Sequence, residues 1–215
     1  MRKLLLGLGL WVGLIASASA QVPCVGVGGV NSVPQVGISC FAEPLVATYG
    51  AVSIGVAPAS SATDFACIAG AAGKVIRLQR LKINGTAGTL INIPATIVKR
   101  ASLDTGGTPA TTTGAPVAYS FDSSNTTASA VLVAYTANPT IVDSSPGYLD
   151  TGILVLTATG TLAGSTGLVF DWINRNYMEA PTLRKATEQI CVNLNATSPS
   201  SGVVNTIFQW TEAAQ

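Results

Sequence analysis

The sequence predicts an all-β protein, a β-sandwich of jelly-roll type with about eight to ten antiparallel strands behind a Gly/Pro-rich N-terminal arm. Three observations predict it. Short apolar or alternating runs recur from residue 51 onward, separated by clusters of Gly, Ser, Asn, Asp and Pro. Almost no stretch carries a helical period. Only 10% of the residues are charged, well under the ~25% of an ordinary domain, so Ser, Thr, Asn and Gly must supply the polar surface.

Residues 1–20 read as a signal peptide. Arg2 and Lys3 form a basic start, residues 4–15 are apolar, and Ala18-Ser19-Ala20 is a small-x-small cleavage site. The apolar run is shorter than the ~20 residues a membrane-spanning helix needs. The mature chain is therefore expected in the periplasm, at the cell surface or outside the cell, with no membrane span. Residues 21–48 form the arm, and residues 49–215 the sandwich domain.

Within that domain, residues 51–56 alternate and residues 64–68 form a short apolar strand before Ala69-Gly70-Ala71-Ala72-Gly73. Residues 74–83 (KVIRLQRLKI) suit a helix by apolar count, but Asn84-Gly85 follows at once, a strong hairpin signal that favours strand. Simple alternation puts Val75, Arg77 and Gln79 on one side and Ile76, Leu78 and Arg80 on the other. Residues 89–99 form a strand that Pro94 confines to an edge or a bulge. Residues 103–116 are a polar loop. Further strands are predicted at 117–121, 128–135, 153–159, 167–173, 188–194 and 203–211. Turns are predicted at 122–125, 138–139, 144–147, 160–166 and 198–202. Residues 176–187 have room for one helical turn, broken by Pro181.

Composition narrows the chemistry. Removing Arg2 and Lys3 from 11 basic residues leaves 9 against 10 acidic ones, a formal charge near −1. A nucleic-acid binder would be basic and clustered. The chain has no histidine, which removes the commonest general base and metal ligand. The acidic residues Asp64, Asp104, Asp122, Asp143, Asp150, Asp171, Glu179 and Glu188 are scattered, and most read as turn formers. Asp143 and Asp150 flank a turn but lack calcium-loop spacing. No catalytic group, metal site or cofactor is predicted.

The four cysteines read as two disulfides in an exported chain. Three pairings exist; the favoured one is Cys24–Cys40, closing the arm, with Cys67–Cys191, pinning an early strand to a late one. Arg77, Arg80, Lys82, Lys99 and Arg100 form a candidate patch for an anionic glycan or acidic partner, or else a solvated strand face guarded by cations. Trp172 and Trp210 read as core residues rather than sugar platforms. Asn84, Asn125 and Asn195 open glycosylation triplets, meaningful only in a eukaryotic secretory pathway.

From residue 51 to the C-terminus the chain resembles a family of tailed-phage virion structural proteins and their prophage relatives. The segments SATDFACIAGAAGKVIRLQRLKING, IVKRASLDTGGTP, AYTANPT, ATEQICVNLN and FQWTEAAQ carry the resemblance, in this order. It implies a virion-type β-sandwich with a structural role and no catalytic residues. The expected function is an exported, non-enzymatic protein that self-associates into a closed ring, such as a trimer, or docks on a larger particle. The alternative is a secreted carbohydrate-binding or adhesin-like module. N-terminal sequencing of exported protein should begin at Gln21; intact Met1 on soluble cytoplasmic protein would refute the export reading.

Overall fold

A computed structural model describes residues 46–158, 167–173 and 180–215. Among them are twelve strands: β1 (Ala47–Val56), β2 (Asp64–Ala69), β3 (Lys74–Thr86), β4 (Ile91–Arg100), β5 (Thr108–Pro109), β6 (Val117–Ser120), β7 (Val131–Ala137), β8 (Gly147–Leu156), β9 (Leu168–Asp171), β10 (Thr182–Leu183), β11 (Gln189–Asn193) and β12 (Val203–Ala214). One 3-10 turn spans Thr112–Gly114, and no α-helix occurs among the described residues. No helix among them is long and apolar enough to cross a membrane.

The strands form two antiparallel six-stranded sheets. The first runs β10-β3-β12-β1-β6, with β9 also pairing to β3; the second runs β5-β7-β2-β11-β4-β8. The last long strands, β11 and β12, thus lie inside the sheets rather than at their edges. Between the two sheets is one large core, with Trp210, Tyr49, Phe65 and Phe208 its largest fully buried side chains. Tyr49 and Trp210 stack with ring centroids 5.8 Å apart, and Phe170 stacks on Trp172 at 6.0 Å. Both predicted core tryptophans are buried. In β12 the alternation is regular: Val204, Thr206, Phe208 and Trp210 are buried, and the residues between them are half-exposed.

The Glu212 carboxylate is also buried. It accepts bonds from the Trp210 indole N–H at 3.0 Å and from the backbone N–H groups of Ser129 and Ala130 at 3.0 and 2.9 Å. These donors satisfy an ion that burial would otherwise make costly. They also tie the lead into β7 to the other sheet.

Three local expectations change. Asn84-Gly85 is not a turn, because β3 runs through it to Thr86. Asn84 accepts a side-chain bond from Asn205 of the neighbouring strand at 2.8 Å, and Gly85 lets the Val203 carbonyl come close. The glycine thus serves close strand approach rather than positive φ. Secondly, Pro94 is not on an edge strand, since β4 lies between β11 and β8. The β4–β11 ladder stops at Thr96, so the proline falls just beyond it, and its carbonyl accepts from the Asn195 side chain at 2.9 Å. Thirdly, β3 carries a bulge. Arg80 pairs with Gln209 and Leu78 with Trp210, leaving Gln79 as the extra residue. The bulge reverses the parity, so Arg80 joins Arg77 among the exposed residues while Leu78 and Leu81 are both buried.

A Cβ at Gly85 would run into the carbonyl oxygen of Val203. Gly85→Ala should therefore cost about 2–3 kcal/mol, the overpacking range. Gly147→Ala, where the nearest neighbour lies 3.8 Å away, should be nearly neutral. Denaturant midpoints of the two variants check this.

Candidate functional site: a buried ionic cluster over a disulfide

The outer face of the second sheet is not a plain solvated surface. In β11, Ile190 and Val192 enter the inter-sheet core, while Cys191 turns outward. Cys67 and Val98 do the same from the flanking strands, and Val133 and Tyr135 of β7 pack against them. A small second core therefore sits on the outside of this sheet.

Its centre is a cross-strand bridge. Cys67 lies directly opposite Cys191 in the ladder, and the two are joined as a disulfide at a sequence separation of 124. In the chain-entropy account, closing a loop of this size contributes about 4–5 kcal/mol. Cys24 and Cys40 lie outside the described residues.

Beside the bridge is a charged pair. Val192 pairs with Ala66 but Asn193 with Asp64, so Phe65 is an extra residue in β2. The bulge lets Phe65 and Ala66 both enter the core while Asp64 emerges next to the disulfide. Arg100 binds Asp64 with two donors, Nε to Oδ2 and Nη2 to Oδ1 at 2.9 Å. Its third donor, Nη1, holds the Asp143 carbonyl at 2.6 Å, and Asn193 Nδ2 reaches Asp64 Oδ1 at 2.5 Å. Arg100 is 3% exposed and Asp64 0%. A buried bidentate pair with its remaining valences filled meets the condition under which such a pair is tolerated. Burial alone would lower the Arg100 pKa, but the bond to Asp64 and the charges of Asp64, Asp104 and Asp143 outweigh it and raise it.

Two loops cover the cluster. Asp143 accepts from the backbone N–H groups of Ala101 and Ser145 at 2.7 and 3.0 Å, which hold its carboxyl below the usual range. Thr105 and Thr140 exchange backbone bonds of 3.0 and 2.7 Å. Gly106 and Gly107 have φ of +65° and +75°, and a side chain at Gly107 would press on Pro139 and Tyr135. The segment LDTGGTP is thus shaped to lie flat on the sheet.

This loop brings Asp104 over the disulfide. Both Asp104 carboxylate oxygens are buried, and neither makes a hydrogen bond of ordinary geometry to an N–H or hydroxyl donor. The group that approaches them is the Asp64 carboxylate, itself an acceptor, so this contact is a hydrogen bond only when Asp104 carries a proton. Burial first, then the charge of Asp64 and the bond to it, push the Asp104 pKa up to about 7; Arg100 and Gln189 pull the other way. One guanidinium cannot neutralise two carboxylates. The Gln189 Nε2 is also buried without a partner. Burial, with the charges of Asp104 and Asp64, raises the Tyr135 hydroxyl.

One ligating atom from each of Asp64, Cys67, Asp104 and Cys191 lies within 4.8 Å of the others. With both sulfurs in the disulfide, only the two carboxylates remain as donors.

The predicted basic patch is divided between the sheets. Arg77 and Arg80 are exposed and Lys82 half-buried on β3 of the first sheet. Lys99 and Arg100 belong to the second sheet. Lys99 donates to the Thr182 carbonyl at 2.8 Å and sits 3.5 Å from Glu188. Arg100 is no surface cation at all, because Asp64 holds it inside. Sequence reasoning counts Asp64, Asp104 and Asp143 only among scattered carboxylates, most of them turn formers, and passes over Gln189 and Asn193. The readable signal was Gln189-x-Cys191-x-Asn193: every outward position of an apolar strand is polar or cysteine.

An unfolded Asp104 titrates near the ordinary value of ~3.9, and the folded one at about 7. Because the folded state binds the extra proton, stability falls as pH rises from about 4 to 7 and is flat above. The residue is partly exposed, so the loss is on the order of 1–2 kcal/mol, well below what the full shift implies. Asp104→Asn should remove this component and make the oxidised chain more stable than the parent above pH 7. Parallel denaturation series across pH check it, and identical pH profiles would refute it.

No family model, curated protein or solved structure matches this chain.

Proposed function

We propose that this chain is an exported, non-enzymatic structural protein of jelly-roll type, akin to tailed-phage virion proteins, which packs with copies of itself. Strand order supports the fold-level part. The eight strands β1-β12-β3-β9 and β2-β11-β4-β8 make two four-stranded sheets within the larger ones. The chain's last two strands return to the middle of each, as two nested Greek keys require. A fold of this kind hosts many functions, so the surface must carry the rest.

One observation carries it: the β1–β6 corner of the first sheet presents an open apolar face. Val117 is 70% exposed, Phe121 53% and Ile54 57%, with Tyr119 between them. Val117, Tyr119 and Phe121 alternate along one strand line, and Tyr119 meets Phe121 edge-on at 5.4 Å. The Tyr119 ring lies over Gly50, where a Cβ would come within 2.7 Å of it. The corner is thus a filled, flat surface rather than a cleft. No charged residue lies on β1 or β6, and Arg77, Arg80 and Lys82 stand beyond β12 on β3. A second copy can approach this corner with little electrostatic repulsion. Apolar patches of this kind mark interaction sites. A secreted location, with cleavage after Ala20, accords with the Cys67–Cys191 disulfide.

The exposed Tyr119–Phe121 pair favours a second reading, a sugar-stacking platform in a carbohydrate-binding module. Light scattering at micromolar concentration separates the two. The parent chain should give an oligomer, and Val117→Lys with Phe121→Lys should give a monomer whose stability changes by no more than about 0.5 kcal/mol per surface site. A parent chain that is strictly monomeric and binds a defined sugar on a glycan array would replace assembly with the second reading.

A further inference from the structure

We propose that Asp64, Cys67, Asp104 and Cys191 form a binding site for a zinc-class divalent cation when the disulfide is reduced, so that the metal replaces the bridge as the link between β2 and β11. The four donor atoms already lie within 4.8 Å of one another, close enough for one ion to touch all four at metal–ligand distances of about 2.0–2.3 Å after small side-chain shifts. Two thiolates with two carboxylate oxygens are a donor set for zinc rather than for calcium or magnesium.

The scaffold does not depend on the S–S bond for its register. Cys67 and Cys191 face each other within a ladder that pairs Gln189 through Asn193 with Ala69 through Asp64. β7 and β4 pair on either side of these strands, and Ile68, Ile190 and Val192 anchor them in the core. Two thiols formed here stay neighbours. Arg100 and Asn193 fix the Asp64 carboxylate with two bonds to Oδ1 and one to Oδ2, which leaves Oδ2 the oxygen with a lone pair to give an ion.

The observation that points to a ligand is unused polar capacity. Neither Asp104 oxygen makes a hydrogen bond of ordinary geometry, and neither does the amide nitrogen of Gln189, 3% exposed, the one neutral donor near them. The carboxylate capacity suits a cation. Asp104 is half-buried on its loop and gives the ion a way in.

The chemistry balances with an external reductant of the dithiol or phosphine class. The disulfide takes up two electrons and two protons and becomes two thiols, while the reductant is oxidised. The arriving dication then displaces both thiol protons, and the one that Asp104 holds, into solvent. The same four residues would then cross-link the chain in an oxidising or a reducing compartment.

The test uses the full mature chain with Cys24→Ser and Cys40→Ser, so that no other thiol contributes. After anaerobic reduction with a phosphine, cobalt(II) is added as the spectroscopic probe, followed by zinc(II). One equivalent of cobalt should bind with thiolate-to-metal charge-transfer and tetrahedral ligand-field bands, and zinc should displace it. The oxidised chain should show neither band. Asp104→Asn should weaken cobalt binding at least about 10-fold while the metal-free circular dichroism is unchanged. The proposal is overturned by a reduced, folded chain that binds no cobalt, or by a reduced chain that stays unfolded with excess cobalt. Equal binding by the oxidised chain, or an Asp104→Asn variant with the parent's affinity and spectrum, would overturn it too.

Discussion

The outer layer of the second sheet depends on one ion pair, Arg100 with Asp64. Arg100 ends a central strand, reaches a carboxylate that a bulge has pushed outward, and grips the backbone of the loop before β8 with its remaining nitrogen. Remove it, and the chain would keep a buried carboxylate without a cation, a second carboxylate above it, and two loops with nothing to lie on. The disulfide holds the strands beneath this layer. The guanidinium holds the layer above them.

The two sheets thereby present opposite outer faces. On the second sheet, loops, a polar cluster and a small apolar group cover the middle of the outer face, while Tyr148 and Ile153 of β8 stay exposed beside them. On the first, the β1–β6 corner stays open and apolar, while cations stand on the far side of β12. A protein this poor in charge cannot advertise a binding face through long-range fields. It distinguishes its faces instead by which one its own loops already cover.

Strand existence was legible in the sequence, because a half-buried strand must alternate and β12 does so from Val203 to Trp210. What escaped was parity. Each bulge inserts one residue and flips every side chain beyond it. Gln79 in β3 and Phe65 in β2 are such residues, and neither is a glycine or proline that would mark a bulge in the sequence. Alternation thus placed Arg80 with the buried Ile76, and gave no reason to aim Asp64 at Arg100. The Asn84-Gly85 pair misled for a related reason: glycine was read for its backbone freedom, whereas here its missing side chain matters. The candidate cluster was the least legible part, since Asp104, Gln189 and Asp64 are brought together by three elements far apart in the chain.

Placing β11 and β12 in the interior of the sheets has a consequence for how the protein is made. Tyr49 finds its partner in Trp210, and Cys67 in Cys191. Until the last few dozen residues arrive, each sheet has a gap where a central strand belongs, and the core between them has no floor. Such non-local pairing is slow to form. A polypeptide built this way stays extensible while it is being synthesised and closes only once it is whole.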